Sequence, residues 1–201
     1  MSDLIRDKIL FLDYDGVLCH RLIGWLDKSP TYWNQGHDKT IIRALARIQE
    51  DIGIKYVTCS RAHTESSKKE QEAVFHKYGH HLDFHDDYRT PYSTDYRKED
   101  YQGLVDGFVT PSAYYKEYWG DAWDKEDTWD TVNGHRGMSI ASWLRHHPEI
   151  GPNDYLVIDD ERDMWPIPKE NFIHVVQGEM RGGLNIEQIV EIYKFFGVEM
   201  T

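Results

Sequence analysis

The sequence predicts an α/β domain, a parallel sheet flanked by helices, and three observations predict it. Short apolar runs recur at Lys8–Leu12, 54–60 and 155–158, as suits strands buried on both faces. Amphipathic segments of helical period separate them, the alternation that builds a parallel sheet. Each of these runs also leads into carboxylates or hydroxyls: Asp13 and Asp15, Thr58 and Ser60, Asp159 and Asp160.

The elements follow in order. Ile9-Leu10-Phe11-Leu12 forms the first strand, and Gly16 allows the chain to turn after it. Residues 19–36, rich in Trp, Gly, Pro and Asn, read as loop. Asp38 caps a helix whose Ile41, Ile42, Leu45 and Ile48 share one face, and Gly53 ends it. The second strand runs to Ser60, and a helix over 61–78 stops at Gly79. From 80 to 134 the pattern is irregular, with one candidate strand at 104–109, and reads as a lid or insertion within the single domain of residues 1–201. Met138, Ile140, Ala141 and Leu144 mark the next helix, and residues 172–176 a further strand. Asn185 and Gln188 make a capping box for a last helix, with Ile186, Ile189, Val190 and Tyr193 inward and Gly197 at its end.

Composition narrows the function. The chain has 201 residues, enough for one domain with a small lid. Residues 1–8 are charged and lack a signal-peptide core, and no apolar run approaches the ~20 residues of a membrane span. Two cysteines, Cys19 and Cys59, give no disulfide framework, so a cytoplasmic protein is expected. The net charge is −12, and residues 83–130 hold 13 Asp and Glu against 5 Lys and Arg, a net of −8. An acidic surface of this kind repels long duplex nucleic acid, whereas small or single-stranded phosphate esters remain open to it.

In open α/β sheets ligands bind outside the carboxyl ends of the strands, so three segments aim their chemistry at one crevice. Clustered carboxylates repel one another and call for a cation. Mg²⁺ suits them, because it takes a few carboxylates and leaves room for substrate phosphate. A lone Asp after a strand would more simply start a turn; three such ends in register argue for a site.

Leu10-Phe11-Leu12-Asp13-Tyr14-Asp15-Gly16-Val17 resembles the first motif of the haloacid dehalogenase (HAD) superfamily, and Val157-Ile158-Asp159-Asp160 its fourth. His135-Arg136-Gly137 with Trp143-Leu144, followed by Asp159-Asp160 and Gly182-Gly183-Leu184, is similar to HAD domains of RNA-repair and polynucleotide kinase-phosphatase proteins. The resemblance spans 8–60 and 135–184 and leaves 80–134 uncovered. It implies a Rossmann-like core and a Mg²⁺-dependent phosphatase. Asp13 would then be the nucleophile, forming an aspartyl-phosphate, and Asp15 the general acid and base. Asp13, the Asp15 carbonyl and Asp159 would bind Mg²⁺, with Asp160 holding a metal-bound water and Asp163 a weaker candidate. A hydroxyl from Ser60 or, alternatively, Thr58 would donate to the phosphoryl group. Arg136, with Lys125 in reserve, would supply the fixed cation. The implied substrates are nucleotides or terminal phosphates of nucleic acid; a small-metabolite phosphatase and a non-catalytic domain of the same fold are the alternatives.

Other clusters carry less. His80, His81 and His85 have the spacing of a metal site, with His81 and His85 four apart, but lack flanking Cys or Glu and read as surface histidines. Tyr88, Tyr92, Tyr96, Tyr114, Tyr115, Trp119 and Trp123 read as the core of a lid short of aliphatic residues, or as a platform for a base.

Overall fold

The computed structural model describes residues 6–18, 37–60, 66–91, 136–176 and 183–200. Five strands form one parallel sheet: β1 (Lys8–Leu12), β2 (Ile54–Thr58), β3 (Phe84–Arg89), β4 (Tyr155–Asp159) and β5 (Phe172–His174), in the order β3-β2-β1-β4-β5. Helices α1 (Lys39–Ile52), α2 (Lys68–His76), α3 (Arg136–His146) and α4 (Ile186–Phe195) accompany it, with a short 3₁₀ turn at Lys169–Asn171 before β5. Among the described residues no helix is long and apolar enough to cross a membrane.

The predicted punctuation holds. Asp38 Oδ1 accepts from Thr40 N at 2.7 Å at the start of α1, and Gly53 closes that helix in the left-handed conformation at φ 74°. Asn185 and Gln188 form the reciprocal capping box of α4. Ser67 and Glu70 form another at α2, which begins at Lys68, later than the 61–78 reading; residues 61–65 lie outside the described residues.

The two faces of the sheet bury different residues. Leu10, Leu12 and Tyr56 pack against Ile42 and Leu45 of α1, Phe75 of α2, and Ile192 and Phe196 after the start of α4. Ile9, Phe11, Val57 and Val157 pack on the other side against Ile140 and Trp143 of α3, with Met164 and Ile167. The period of two along each strand thus sets odd-numbered β1 residues toward α3 and even-numbered ones toward α1. That division decides which side chains meet above the strand ends.

Two expectations are corrected. Residues 84–89, assigned to the irregular insertion, are the edge strand β3, paired with β2 through Tyr56↔Phe84 and Thr58↔Arg89 with a register shift between. As an edge strand β3 has little apolar surface to bury: Phe84 is buried, while Asp86, Asp87 and Arg89 are exposed, so no apolar run marks it. Trp143 Nε1 of α3 donates to Asp87 O at 3.0 Å and anchors this edge. Ile186, expected inward, is 62% exposed in the first turn of α4; Ile192 and Phe196 carry that packing. The candidate strand at 104–109 and the aromatic residues from Tyr92 to Trp123 lie outside the described residues.

Candidate active site

The pleat of β1 turns Asp13 toward the α3 layer, and the register brings its neighbours. Leu12 pairs with Thr58 and Ile158, so Asp13 leaves β1 level with Cys59 and Asp159. Asp13 N donates to Ile158 O at 3.1 Å and Cys59 N to Leu12 O at 3.2 Å, which extends the ladder to the site. Carboxylate oxygens of Asp13, Asp159 and Asp160 lie within 4.8 Å of one another. Asp13 and Asp159 are completely buried, and Asp160 is half-buried.

Arg136, the first residue of α3, reaches into this cluster. Its Nη1 lies 2.8 Å from Asp13 Oδ1 and donates to Asp159 Oδ2 at 2.5 Å. Asp159 is further held by Glu161 N, which donates to Oδ1 at 2.8 Å, and by the Cys59 thiol, 3.7 Å from Oδ2. Asp13 differs: Arg136 stands at ion-pair distance, yet neither buried Asp13 oxygen has an aligned hydrogen bond among the described residues.

Three carboxylates against one guanidinium leave the cluster short of positive charge. Burial, resisted by Arg136 and reinforced by Asp160 and Asp15, pushes the Asp13 carboxyl above the usual range. Burial and the Asp13 charge, opposed by Arg136, push Asp159 up to about 8, and burial with Asp159 raises Asp160. Asp15 is raised as well, chiefly by burial with Arg136 opposing. Burial and the neighbouring Asp159 raise the Cys59 thiol well above its ordinary value, so it stays protonated and serves as a donor. The donor set is hard oxygen, its oxygens converge, and Asp13 has coordination to spare; these residues fit Mg²⁺.

The N-terminus of α3 is itself fixed by the segment after Asp160. Asp163 Oδ2 accepts from Arg136 N at 3.1 Å, and Asp163 O accepts from Gly137 N at 3.0 Å. Asp163, expected as a weak metal candidate or a solvent-facing residue, is thus the cap that seats the arginine's helix. Gly137 allows the close approach: a Cβ there would stand 2.1 Å from Met164 O. A glycine inside a helix, directly after the cation, is the one sequence signal that pointed to this contact. His174 joins from β5, its Nε2 3.0 Å from Asp160 O.

Thr58 and Ser60 are both buried at the end of β2, which stops at Thr58. Thr58 pairs with Leu12 and so faces the α1 side, away from Asp13; Ser60 lies past the strand end. His81 and His85 do not come together as a site: His81 Nδ1 meets His76 Nε2 at 3.4 Å, whereas His85 lies on β3 beside Trp143 and His147. Lys125 and Cys19 lie outside the described residues.

A parallel sheet in the order 3-2-1-4-5, with paired acidic residues at the ends of β1 and β4 and a buried arginine between them, defines a Rossmann-like domain of HAD type. Comparison with protein families matches residues 9–189 to the family described as the HAD domain in Swiss Army Knife RNA repair proteins, and the chain belongs to that family. Searches of curated proteins and of solved structures gave no match.

Proposed function

We propose that this domain is a Mg²⁺-dependent phosphomonoester hydrolase that removes terminal phosphates from nucleic acid or nucleotides through an aspartyl-phosphate at Asp13. The observation that carries this reading is the convergence of Asp13, Asp159, Asp160 and Arg136 at the strand ends. The family's description as an RNA-repair HAD domain supports the choice of nucleic-acid ends.

Asp13, Asp159 and Asp160, with the Asp15 carbonyl, would hold Mg²⁺, which supplies charge to offset the approach of one anion to another. Asp13 attacks phosphorus with a carboxylate oxygen, and the bond from phosphorus to the ester oxygen breaks. Asp15, whose carboxyl burial holds above its ordinary range, gives its proton to the departing oxygen. Asp15 then takes a proton from water, whose oxygen attacks phosphorus and releases inorganic phosphate and the Asp13 carboxylate. Arg136 helps to keep Asp13 ionised despite its burial and faces the phosphoryl oxygens as a fixed charge.

The test is a hydrolysis screen of 3′- and 5′-phosphorylated oligonucleotides, mononucleotides and sugar phosphates, with Mg²⁺ and with chelator. The proposal expects oligonucleotide ends or nucleotides to have the highest kcat/KM and chelator to abolish turnover. Preference for sugar phosphates would assign a metabolite phosphatase instead, and full activity in chelator would remove the carboxylate cluster from the mechanism.

A further inference from the structure

His174 ends β5 opposite Asp159, its partner in the parallel register. The ladder runs one bond further, as Val175 N donates to Asp159 O at 2.8 Å. Beyond that a side chain takes over from the strand. His174 Nε2 lies 3.0 Å from Asp160 O, and since a carbonyl oxygen only accepts, Nε2 carries the hydrogen. The neutral Nε2–H tautomer and the imidazolium both meet that demand, so the contact does not depend on the charge of the ring. His174 is held in turn from α4. Gln188 Nε2 donates to His174 O at 3.0 Å, and Gln188 Oε1 accepts from Asn185 N at 2.9 Å within the capping box.

The carbonyl of Asp160 shares a planar peptide unit with the amide of Glu161, and the two point in opposite directions. Glu161 N donates to Asp159 Oδ1 at 2.8 Å. One peptide is thus gripped at both ends, its oxygen by His174 and its N–H by Asp159. Rotation of that peptide would take the N–H away from Asp159 and turn the backbone from which the Asp160 carboxylate projects into the cluster. Among the described residues Asp159 would then be left with donors on Oδ2 alone, Arg136 and Cys59. We propose that His174 is a positioning residue of the carboxylate cluster: it fixes the 160–161 peptide, and with it the placement of Asp159 and Asp160 toward a divalent cation. This rests on the Mg²⁺-dependent reading of the site, but its readout is metal binding rather than turnover.

The test measures the rise in Tm of the full chain on titration with Mg²⁺ at constant ionic strength, without substrate. Loss of a group that orients metal ligands weakens metal binding by at least ~10-fold, so His174→Leu needs correspondingly more Mg²⁺ for the same rise. His174→Asn, polar but too short to reach Asp160 O, behaves like His174→Leu and carries the comparison where leucine prevents folding. His174→Gln, whose side-chain amide can donate to the same carbonyl, lies closer to wild type than to His174→Asn. A histidine that only packs at the end of β5 would lower the metal-free Tm and leave the Mg²⁺ titration of the folded protein unchanged. Wild-type Mg²⁺ binding in all three variants therefore overturns the proposal, and so does a loss in His174→Gln equal to that in His174→Asn. A wild type with no Mg²⁺-dependent rise overturns it together with the metal site. The expected order of variants, in a protein that hydrolyses no phosphomonoester, refutes the phosphatase reading alone.

Discussion

Gly137→Ala sets two physical expectations against each other. Helix propensity alone favours alanine, by about 1 kcal/mol in a helix interior. The local geometry reverses that sign. The added methyl would lie 2.1 Å from Met164 O, 2.2 Å from Met164 C and 2.4 Å from Trp165 O. These are backbone atoms, with no flexible side chain to swing away, so α3 and the 163–165 segment must part by roughly 1 Å. Overpacking in a fitted core costs about 1–3 kcal/mol, and an obstacle made of backbone places this change at or above the upper end. The displaced residue is Arg136, whose Nη1 contacts with Asp13 and Asp159 are 2.8 and 2.5 Å. Misplacement of a catalytic constellation by about 1 Å can cost ~10²-fold in rate. Urea denaturation should therefore show a loss near 3 kcal/mol, and kcat/KM should fall at least ~10-fold. A variant as stable as wild type, with kcat/KM within threefold, would refute the claim that this contact seats the arginine.

Asp163→Ala removes the cap of α3 and should cost about 1–2 kcal/mol, with kcat/KM falling while the Tm of the remaining fold stays cooperative; equal activity would mean that Arg136 needs no such anchor. Trp143→Phe deletes the hydrogen bond to Asp87 O and leaves a void beside Phe11 and His147, and should cost about 2–3 kcal/mol, with faster amide exchange in β3; unchanged exchange there would separate α3 from the edge strand. In chelator, Asp159 binds extra protons in the folded chain between its ordinary value of 3.8 and its raised value of about 8. Its contribution to stability is thus complete below 3.8 and is lost as pH rises toward 8. The Tm gain on adding Mg²⁺ should therefore be larger at pH 8 than at pH 6, and a gain that shrinks with pH would contradict the buried-carboxylate account.

What could be read in advance follows from where the physics is local. β1, β2 and β4 are buried on both faces, so their apolar runs announced them, and the carboxylates behind β1 and β4 stood out by contrast. Caps at Asp38 and Asn185 are short-range hydrogen bonds and were legible from spacing. β3 was not, because an edge strand with one solvated side can be built from His85, Asp86, Asp87 and Arg89. Arg136 could be picked as a cation at a helix start, but its pairing with Asp13 and Asp159 depends on packing α3 across the sheet. Asp163 and His174 illustrate the same limit. Each is an ordinary polar residue in sequence, and its role exists only through a partner 27 or 14 positions away.

The most direct test of the central claim is to trap the covalent intermediate. Single-turnover reaction with a phosphate-labelled oligonucleotide end and Mg²⁺, quenched in acid and analysed by peptide mass spectrometry, should place the label on the peptide holding Asp13. The label should be absent from Asp13→Asn, which should also retain less than a few per cent of wild-type turnover. Label on another residue, or turnover in Asp13→Asn close to wild type, would contradict the account.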